Sequence, residues 1–399
     1  MDIKYVPKIN QKQTVCVVVG TRPGIIKMSP IIRELARRNM PHFVLHAGQH
    51  YSYNMDKKFF EDLELSKPLH HLDEVKRYTT HASQTAEMMK GMEEVFFKET
   101  PAVVLVCGDA NTNFSGAVAA RKLGLVVGHV EAGLRSYDWR MPEEHNRVMI
   151  DHISELLFAP TEKAKANLLK ENVRGRIVIA GNTIVDASLQ NIDIARRKNG
   201  MLGSIGIKER GYVLFTAHRE ENVDNYSNLK AMIEALDMVS RAYPSLPIIF
   251  PMHPRTTKRI EQFGLKTELS KPRTLRLIEP VGYLDFLMLI SSASAIMTDS
   301  GGIQEEACVL KVPCVTLREN TERPESLEVG GNVLAGVNPE RILEALGRML
   351  NKNRDWANPF GDGKAAQRIT DAVCDVLEGR ADIPGREYTA GTKKTGETK

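Results

Sequence analysis

A short apolar run, a polar loop and an amphipathic helix recur along this chain, and this repeat limits the possible folds most strongly. The run at 15–19 is β-branched and ends at Gly20, as expected for a strand buried on both faces. Further strands are predicted at 43–46, 103–107, 126–130, 177–180, 212–216, 248–250, 275–278, 295–298 and 311–316. This alternation predicts parallel sheets, in which ligands collect outside the carboxyl ends of the strands.

The chain length predicts more than one domain. At 399 residues it exceeds the range in which one core keeps growing, so we expect two domains of roughly 150–200 residues each. The charged, glycine-containing stretch at 196–209 is the expected linker. We predict one domain over 1–195, a second over 196–365, a helix over 366–387 that packs back on the first domain, and a disordered tail over 388–399.

The composition is typical of an ordinary soluble globular protein. Hydrophobic residues make up 42% and charged residues 26%, and the net charge of +4 predicts no nucleic-acid partner. The five cysteines lack CxxC spacing and a nearby His, so no metal site is predicted and a reducing compartment is favoured. Neither a signal peptide nor an apolar run of about 18 residues is found, which predicts a cytoplasmic protein with no membrane partner.

The segment 295–307, AIMTDSGGIQEEA, predicts a strand, a tight turn and a helix start. Ser300, Gly301 and Gly302 fall where a helix N-terminus presents unpaired N–H groups and the positive end of its dipole. Such a turn suits a diphosphate, and one of the glutamates that follow can reach a ribose hydroxyl. The alternative is an ordinary turn in which Ser300 only caps the helix.

A second strand–loop–helix unit carries two cations. Gly20 is followed by TRPG and a helix, and Arg22 and Lys27 flank the helix start. The planar guanidinium of Arg22 can bind a phosphate in a bidentate manner. The alternative is that both side chains are simply solvated.

Three carboxylates follow strand ends or open a helix in the first half of the chain, namely Asp109, Glu131 and Glu143. Carboxylates that converge on one crevice raise one another's pKa and can divide into an acid and a base. Each also has a structural alternative. Asp109 can cap a helix, Glu131 can pair with Arg135, and Glu143 can be favoured only by the helix dipole.

Two histidines and an aromatic residue complete the candidates in the second half. His218 and His253 follow strands, with basic neighbours, and are predicted to face the ligand crevice. Phe286 lies at a helix start just before the strand at 295–298, where it can face a nucleotide base or belong to the core.

These motifs together resemble the non-hydrolysing UDP-N-acetylglucosamine 2-epimerases. The resemblance rests on GTRPGIIKMSP, AGQHYS, HVEAGLRS, MPEEHNR, AGNTIVD, TAHREEN, TDSGGIQEEA and VPCVTLRENTERPE, in order and at the spacing of the family. It implies an α/β protein of two Rossmann-like domains of GT-B type, with the active site in the interdomain cleft. It further implies a homodimer that converts UDP-GlcNAc to UDP-ManNAc without a cofactor, by anti elimination of UDP to 2-acetamidoglucal and re-addition.

The resemblance also implies roles for individual residues. The catalytic set is Asp109, Glu131, Glu143 and His218. The residues implied to hold UDP or the sugar are Arg22, Lys27, Arg135, His253, Phe286, Ser300, Gly301, Gly302, Glu306 and Arg323. A possible allosteric UDP-GlcNAc site comprises Gln49, His50 and Arg219.

Two departures from the family pattern and four other functions stay open on the sequence alone. Gly24 stands where the family usually has Glu, and Ala110 stands within GDAN where the family commonly has GDT. The same chemistry on a UDP-2,3-diacetamido-glucuronate, a hydrolysing epimerase that releases ManNAc, a GT-B glycosyltransferase and a non-catalytic nucleotide-sugar sensor are the alternatives.

Overall fold

The computed structural model describes residues 12–48, 53–72, 80–198 and 200–381. These residues form two compact units, one within Met1–Ala187 and Gly363–Lys399, the other within Ser188–Asp362. The predicted tail at 388–399 lies outside the described residues.

Helices and strands alternate through both units, as the sequence pattern predicts. The strands are β1 Lys12–Val19, β2 His42–His46, β3 His70–His71, β4 Pro101–Cys107, β5 Val126–Val130, β6 Leu156–Ala159, β7 Arg176–Ile179, β8 Val213–Thr216, β9 Ile248–Pro251, β10 Leu275–Ile278, β11 Ala295–Thr298, β12 Cys314–Thr316 and β13 Asn332–Leu334. The helices are α1 Arg22–Arg37, α2 Tyr53–Asp62, α3 His81–Glu99, α4 Asn111–Lys122, α5 Pro142–Ile153, α6 Glu162–Lys170, α7 Thr183–Arg197, α8 Met201–Ser204, α9 Glu220–Val223, α10 Tyr226–Ala242, α11 Pro254–Gln262, α12 Lys266–Leu269, α13 Tyr283–Ser291, α14 Gly301–Val309, α15 Pro324–Glu328, α16 Pro339–Leu350 and α17 Ala365–Leu377.

Each unit contains one fully parallel sheet. The order is β3-β2-β1-β4-β5-β6-β7 in the first unit and β10-β9-β8-β11-β12-β13 in the second. In both sheets the order reverses beside the first strand of the unit, as in Rossmann folds, and a switch point of this kind is where ligands bind. The predicted class of two Rossmann-like parallel sheets is confirmed.

The first sheet is buried by closely packed helices. Val15, Val17 and Val18 of β1 are fully buried, as expected of a central parallel strand. Helix α4 lies close to the sheet because Gly116 has no side chain. A Cβ there would lie 3.3 Å from methyl groups of Val18 and Val106. The small residues of α4 therefore set how near its N-terminus lies to the ends of β1 and β4.

Some elements differ from the sequence prediction. The strand predicted at 311–316 begins only at Cys314, because Lys311 has φ 61° in the left-handed region and belongs to the turn after α14. The short strands β3, β6 and β13 were not predicted. Within the predicted linker at 196–209, the structure has the end of α7 and the short helix α8.

The last helix belongs to the first unit. Helix α17 packs against α1, and Arg38 Nη1 lies 2.6 Å from Asp371 Oδ1. Its N-terminus is capped by Asp186 of α7, which accepts hydrogen bonds of 3.2 and 3.0 Å from the N–H groups of Ala365 and Ala366. A carboxylate at a helix N-terminus satisfies unpaired donors and complements the dipole.

Two further observations apply to the described part of the chain. No helix there is both long enough and apolar enough to cross a lipid bilayer. No group of three or more His, Cys, Asp or Glu side chains among these residues is arranged to hold a metal ion.

Candidate active site

The loop after β1 places Arg22 and Lys27 at the start of α1. Thr21 is the N-cap, and its Oγ1 accepts a 3.3 Å hydrogen bond from the N–H of Gly24. The guanidinium of Arg22 lies 5.6 Å from the ring centroid of Phe59, within cation–π range. A Cβ on Gly24 would meet only Thr21 Oγ1, at 3.3 Å. The departure at Gly24 thus leaves the local backbone intact.

Glu131, directly after β5, is the most enclosed of the three candidate carboxylates. It is 6% exposed, and its Oε2 lies 2.7 Å from Lys27 Nζ. Its Oε1 is buried and has no hydrogen-bond partner among the described residues. The backbone has φ 68°, an uncommon conformation for a non-glycine residue that concentrates at functional sites. Glu131 therefore pairs with Lys27 and not with Arg135, the alternative considered from the sequence.

Asp109, two residues after the end of β4, is held from the side of α5. Its carboxylate forms an ion pair with Arg147, and its backbone oxygen accepts a 2.9 Å hydrogen bond from Asn146 Nδ2. The N-cap of α4 is Ala110, without a side-chain capping bond, so Asp109 does not cap that helix. Arg147 therefore orients the Asp109 carboxylate, although Ala110 stands where the family commonly has Thr.

Glu143 lies in the first turn of α5, and its side chain is exposed. Among the described residues the structure gives it no hydrogen bond or ion pair. The next residue, Glu144, is buried and accepts hydrogen bonds of 3.0 Å from the N–H groups of Ser136 and Tyr137. Burial opposes ionisation of Glu144, but these hydrogen bonds and Arg147 outweigh it and lower its pKa. Glu144 thus anchors the loop before α5 and leaves Glu143 accessible.

Arg135 occupies a different environment from the ligand-facing one expected. Its side chain is 1% exposed, with Nη1 2.7 Å from Asp151 Oδ2 and Nη2 2.6 Å from Glu171 Oε2. A guanidinium engaged in this way is part of a buried ion-pair network, so we do not include Arg135 among the proposed ligand contacts.

In the second unit, Asp299 organises the residues at the ends of β8 and β11. It is fully buried and accepts hydrogen bonds of 3.0 Å from both the N–H of His218 and the N–H of Arg219. The amide of Asn222 reaches it at 3.4 Å and also donates to Leu317 O at 3.0 Å. From the sequence, Asp299 was predicted only as part of a tight turn. A carboxylate directly after a buried strand was the available signal.

His218 and His253 lie together above this carboxylate. Their ring centroids are 5.3 Å apart, and His218 Nδ1 is 3.5 Å from Asp299 Oδ1. Burial lowers the pKa of both histidines, and the Arg255 guanidinium adds to that effect, while Asp299 partly offsets it. Both rings are therefore neutral at pH 7 in the free protein and available to take up protons when an anion binds.

The turn at Ser300 leaves the N-terminus of α14 open. Ser300 is the N-cap, but its side chain makes no capping bond, and its N–H donates to Thr298 Oγ1 at 3.0 Å. A Cβ on Gly302 would meet nothing within 4 Å. A Cβ on Gly301 would lie 3.6 Å from Arg219 Nη2. Open helix N–H groups with a nearby guanidinium can bind an anion.

Other candidates of the second unit surround this turn. Glu306 is 7% exposed and accepts a 3.1 Å hydrogen bond from Tyr283 Oη. Arg323 Nε lies 2.6 Å from Glu305 Oε1. Phe286 is half-buried and packs against an apolar cluster of the second sheet.

Of the three residues of the implied allosteric site, only Arg219 lies in the described part of the chain. Gln49 and His50 lie outside the described residues. Arg219 is half-buried at the end of β8, where Asp299 holds its backbone N–H.

Comparisons with known proteins agree on one family. The family model described as UDP-N-acetylglucosamine 2-epimerase matches residues 33–374. The UDP-N-acetylglucosamine 2-epimerase of Methanococcus maripaludis is 52% identical over 360 residues, covering 90% of this chain and 97% of that protein. The UDP-2,3-diacetamido-2,3-dideoxy-D-glucuronate 2-epimerase of Pseudomonas aeruginosa is 37% identical over 364 residues, covering 90% and 99%.

A solved structure of similar length has the same fold. The crystal structure of Methanocaldococcus jannaschii UDP-GlcNAc 2-epimerase in complex with UDP-GlcNAc and UDP matches this chain with a TM-score of 0.79 and 51% sequence identity. The match covers 90% of this chain and 99% of that one.

Proposed function

This chain belongs to the UDP-N-acetylglucosamine 2-epimerase family, and from that membership we propose that it interconverts UDP-GlcNAc and UDP-ManNAc. The observation that best supports UDP binding is the open N-terminus of α14, with the backbone of His218 held by Asp299. This arrangement supplies backbone N–H donors and titratable imidazoles where a diphosphate needs them.

The proposed reaction is an anti elimination followed by a re-addition. A carboxylate removes the proton from C2 as the C1–O bond breaks, which releases UDP and leaves 2-acetamidoglucal. UDP then adds back at C1 while C2 receives a proton on the opposite face. The C2 proton is weakly acidic, so a positioned base is required, and the leaving diphosphate needs donors at its developing charge.

We assign the acid/base set to Asp109, Glu131 and Glu143. Glu131 supports this assignment best, because it combines burial, an oxygen without a partner among the described residues and a strained backbone. Asp109 is oriented by Arg147, and Glu143 stays exposed in the first turn of α5.

We assign the UDP contacts to two groups of residues. The diphosphate contacts Ser300, Gly301, Gly302 and His218, and Arg22 and Lys27 are assigned as further cations that hold UDP or the sugar. The nucleoside is held by Glu306 at the ribose and by Phe286 at the base, with His253 and Arg323 at the edge of the site.

Product analysis tests the proposed activity. Incubation of the protein with UDP-GlcNAc should give UDP-ManNAc at equilibrium, identified by NMR, with no stoichiometric release of free UDP. Free ManNAc and an equal amount of UDP would instead identify a hydrolysing epimerase.

The relative from Pseudomonas aeruginosa, named as a UDP-2,3-diacetamido-2,3-dideoxy-D-glucuronate 2-epimerase, supports a second candidate substrate. The residues around the diphosphate do not separate the two sugars. Parallel incubations with both nucleotide sugars decide between them, since the correct substrate has the higher kcat/KM. Light scattering of the purified protein tests the homodimer that we also propose.

A further inference from the structure

His129, the next-to-last residue of β5, makes two polar contacts although it is fully buried. Its Nδ1 lies 2.6 Å from Asp151 Oδ1 on α5. Its Nε2 lies 3.1 Å from the backbone oxygen of Gly108, just after β4. Neither contact was considered in the sequence analysis, where His129 was only a residue of a predicted strand.

The identity of these two partners fixes the protonation of His129. A carbonyl oxygen can only accept a hydrogen bond, and an ionised carboxylate can only accept as well. A neutral imidazole carries hydrogen on only one of its two nitrogens. The lone pair of the other nitrogen would then face an oxygen atom that has no hydrogen to donate. Both contacts are satisfied only when both ring nitrogens carry hydrogen, that is, as an imidazolium.

The surroundings balance that charge. Asp151 Oδ2 accepts a 3.1 Å hydrogen bond from the N–H of Gly133 and lies 2.7 Å from Arg135 Nη1. Arg135 in turn pairs with Glu171. Burial opposes ionisation of Asp151, but His129 and Arg135 outweigh it and lower its pKa, so the carboxylate is charged. The network therefore contains two cations and two anions.

The network spans the two loops that carry candidate acid/base residues. Gly108 directly precedes Asp109, and Gly133 comes two residues after Glu131. We propose that His129 is a buried imidazolium that, through Gly108 O and Asp151, holds these loops in register and so acts as a positioning residue for Asp109 and Glu131. The positioning role rests on the proposed epimerase function, whereas the charge state does not.

The charge state can be observed without any activity. In protein labelled with ¹⁵N-histidine, the resonance lost in the His129→Gln variant identifies His129. We expect both of its ring nitrogens to carry hydrogen at pH 7, as the two acceptor contacts require. The charged or titratable groups around it are Asp151 from α5, Arg135 after β5, Glu171 at the end of α6, and His152, whose Nε2 is 3.8 Å from Glu171. A neutral imidazole near pH 7 would overturn the proposal.

Kinetics test the positioning role. His129→Gln keeps a hydrogen-bond donor but removes the charge and one contact. We expect kcat for UDP-GlcNAc to fall on the order of tenfold or more while KM changes less than about threefold, because the carboxylates are displaced and the UDP site is not. His42→Gln is the matched control, since His42 is half-buried at the start of β2 and, within the described ranges, its side chain bonds only to Met40 O, at 2.8 Å. It should retain the kcat of the unmodified protein.

Asp151→Asn provides a second variant that keeps the side-chain shape and removes the counter-charge. It should lower kcat as His129→Gln does, because the contact of His129 Nδ1 with an ionised carboxylate is lost. Unchanged kcat in either folded variant would overturn the positioning role. If the unmodified protein does not convert UDP-GlcNAc, the proposed function fails, and the NMR result still decides the charge state.

Discussion

At the scale of single residues, Asp299 shows how one buried carboxylate can shape a site without being the reactive group. It accepts from the backbone of His218 and Arg219 and so fixes the direction in which both side chains leave the sheet. In the first unit, a buried ion pair has a similar effect on a side chain. Lys27 fixes the position of the Glu131 carboxylate.

Replacing the candidate acid/base residues tests them one at a time. Asp109→Asn, Glu131→Gln and Glu143→Gln should each lower turnover by on the order of 10² or more, the usual cost of a lost general acid or base. UDP affinity should change little, as measured by calorimetry. Glu162→Gln, in the first turn of α6, is the control. A variant with near-normal turnover removes that residue from the mechanism.

The Asp299→Asn substitution tests the organising role of this carboxylate. The N–H groups of His218 and Arg219 both donate to Asp299 Oδ2, and His218 also contacts Oδ1. Asparagine keeps the shape but loses the negative charge and one acceptor oxygen, so these contacts are weakened. We expect a loss of about 1–3 kcal/mol in the free energy of unfolding and weaker UDP binding. Denaturant titration and calorimetry measure the two effects. Asp285→Asn, on an exposed position of α13, should change neither.

The lowered pKa values of His218 and His253 predict proton uptake on UDP binding. A bound diphosphate stabilises an imidazolium, so it raises the pKa of each ring. Binding therefore draws protons from the buffer at pH values between the lowered pKa of the free protein and the pKa of the complex. UDP affinity therefore falls as the pH rises through the pKa values of the complex. Calorimetry in buffers of different ionisation enthalpy measures the uptake.

His218→Asn should reduce that uptake, and His42→Gln should not change it. Equal proton uptake in the His218→Asn variant and in the unmodified protein would place His218 away from the diphosphate.

At the scale of elements, strand ends and helix starts could be predicted from the sequence, but side-chain contacts across elements could not. The strands β5, β10 and β11 were predicted with their observed bounds, and each is followed directly by Glu or Asp. Strands β5 and β11 are apolar runs that are buried along their length, whereas β10 is partly exposed. Strands β3 and β13 have two and three residues, which are too few to show the alternation of side chains that identifies a strand in a sequence. The left-handed backbone of Glu131 and the pairing of Asp109 with Arg147 depend on packing between elements that are distant in sequence.

Gly302→Ala tests the anion-binding role of α14. The methyl group meets nothing in the free protein, and alanine favours a helix, so stability should stay the same or rise by about 0.4–1 kcal/mol. If the diphosphate lies against this turn, the same methyl group obstructs it, and KM for UDP-GlcNAc should rise about tenfold or more. Gly203→Ala in α8, also with no atom within 4 Å of an added Cβ, is the control for KM. An unchanged KM in Gly302→Ala would move the diphosphate elsewhere.

At the scale of the whole molecule, the fold class and the family were accessible from the sequence because several motifs, each tied to a strand end, occur in a fixed order. The individual contacts were less accessible. Arg135 was predicted to contact a ligand, but the structure places it in a buried ion-pair network with Asp151 and Glu171. These partners belong to other elements, so no local motif revealed the pairing. The sugar specificity could not be predicted either, because the motifs around the diphosphate do not contact the substituents that distinguish one sugar from another.

The most direct test of the central claim is solvent exchange at C2 during turnover in heavy water. Elimination and re-addition require the C2 proton to leave the substrate, so we expect deuterium at C2 of UDP-ManNAc from the first turnovers, and later at C2 of the recovered UDP-GlcNAc. UDP-ManNAc that forms with hydrogen retained at C2, or UDP-GlcNAc that binds without any exchange or conversion, would contradict the proposed mechanism.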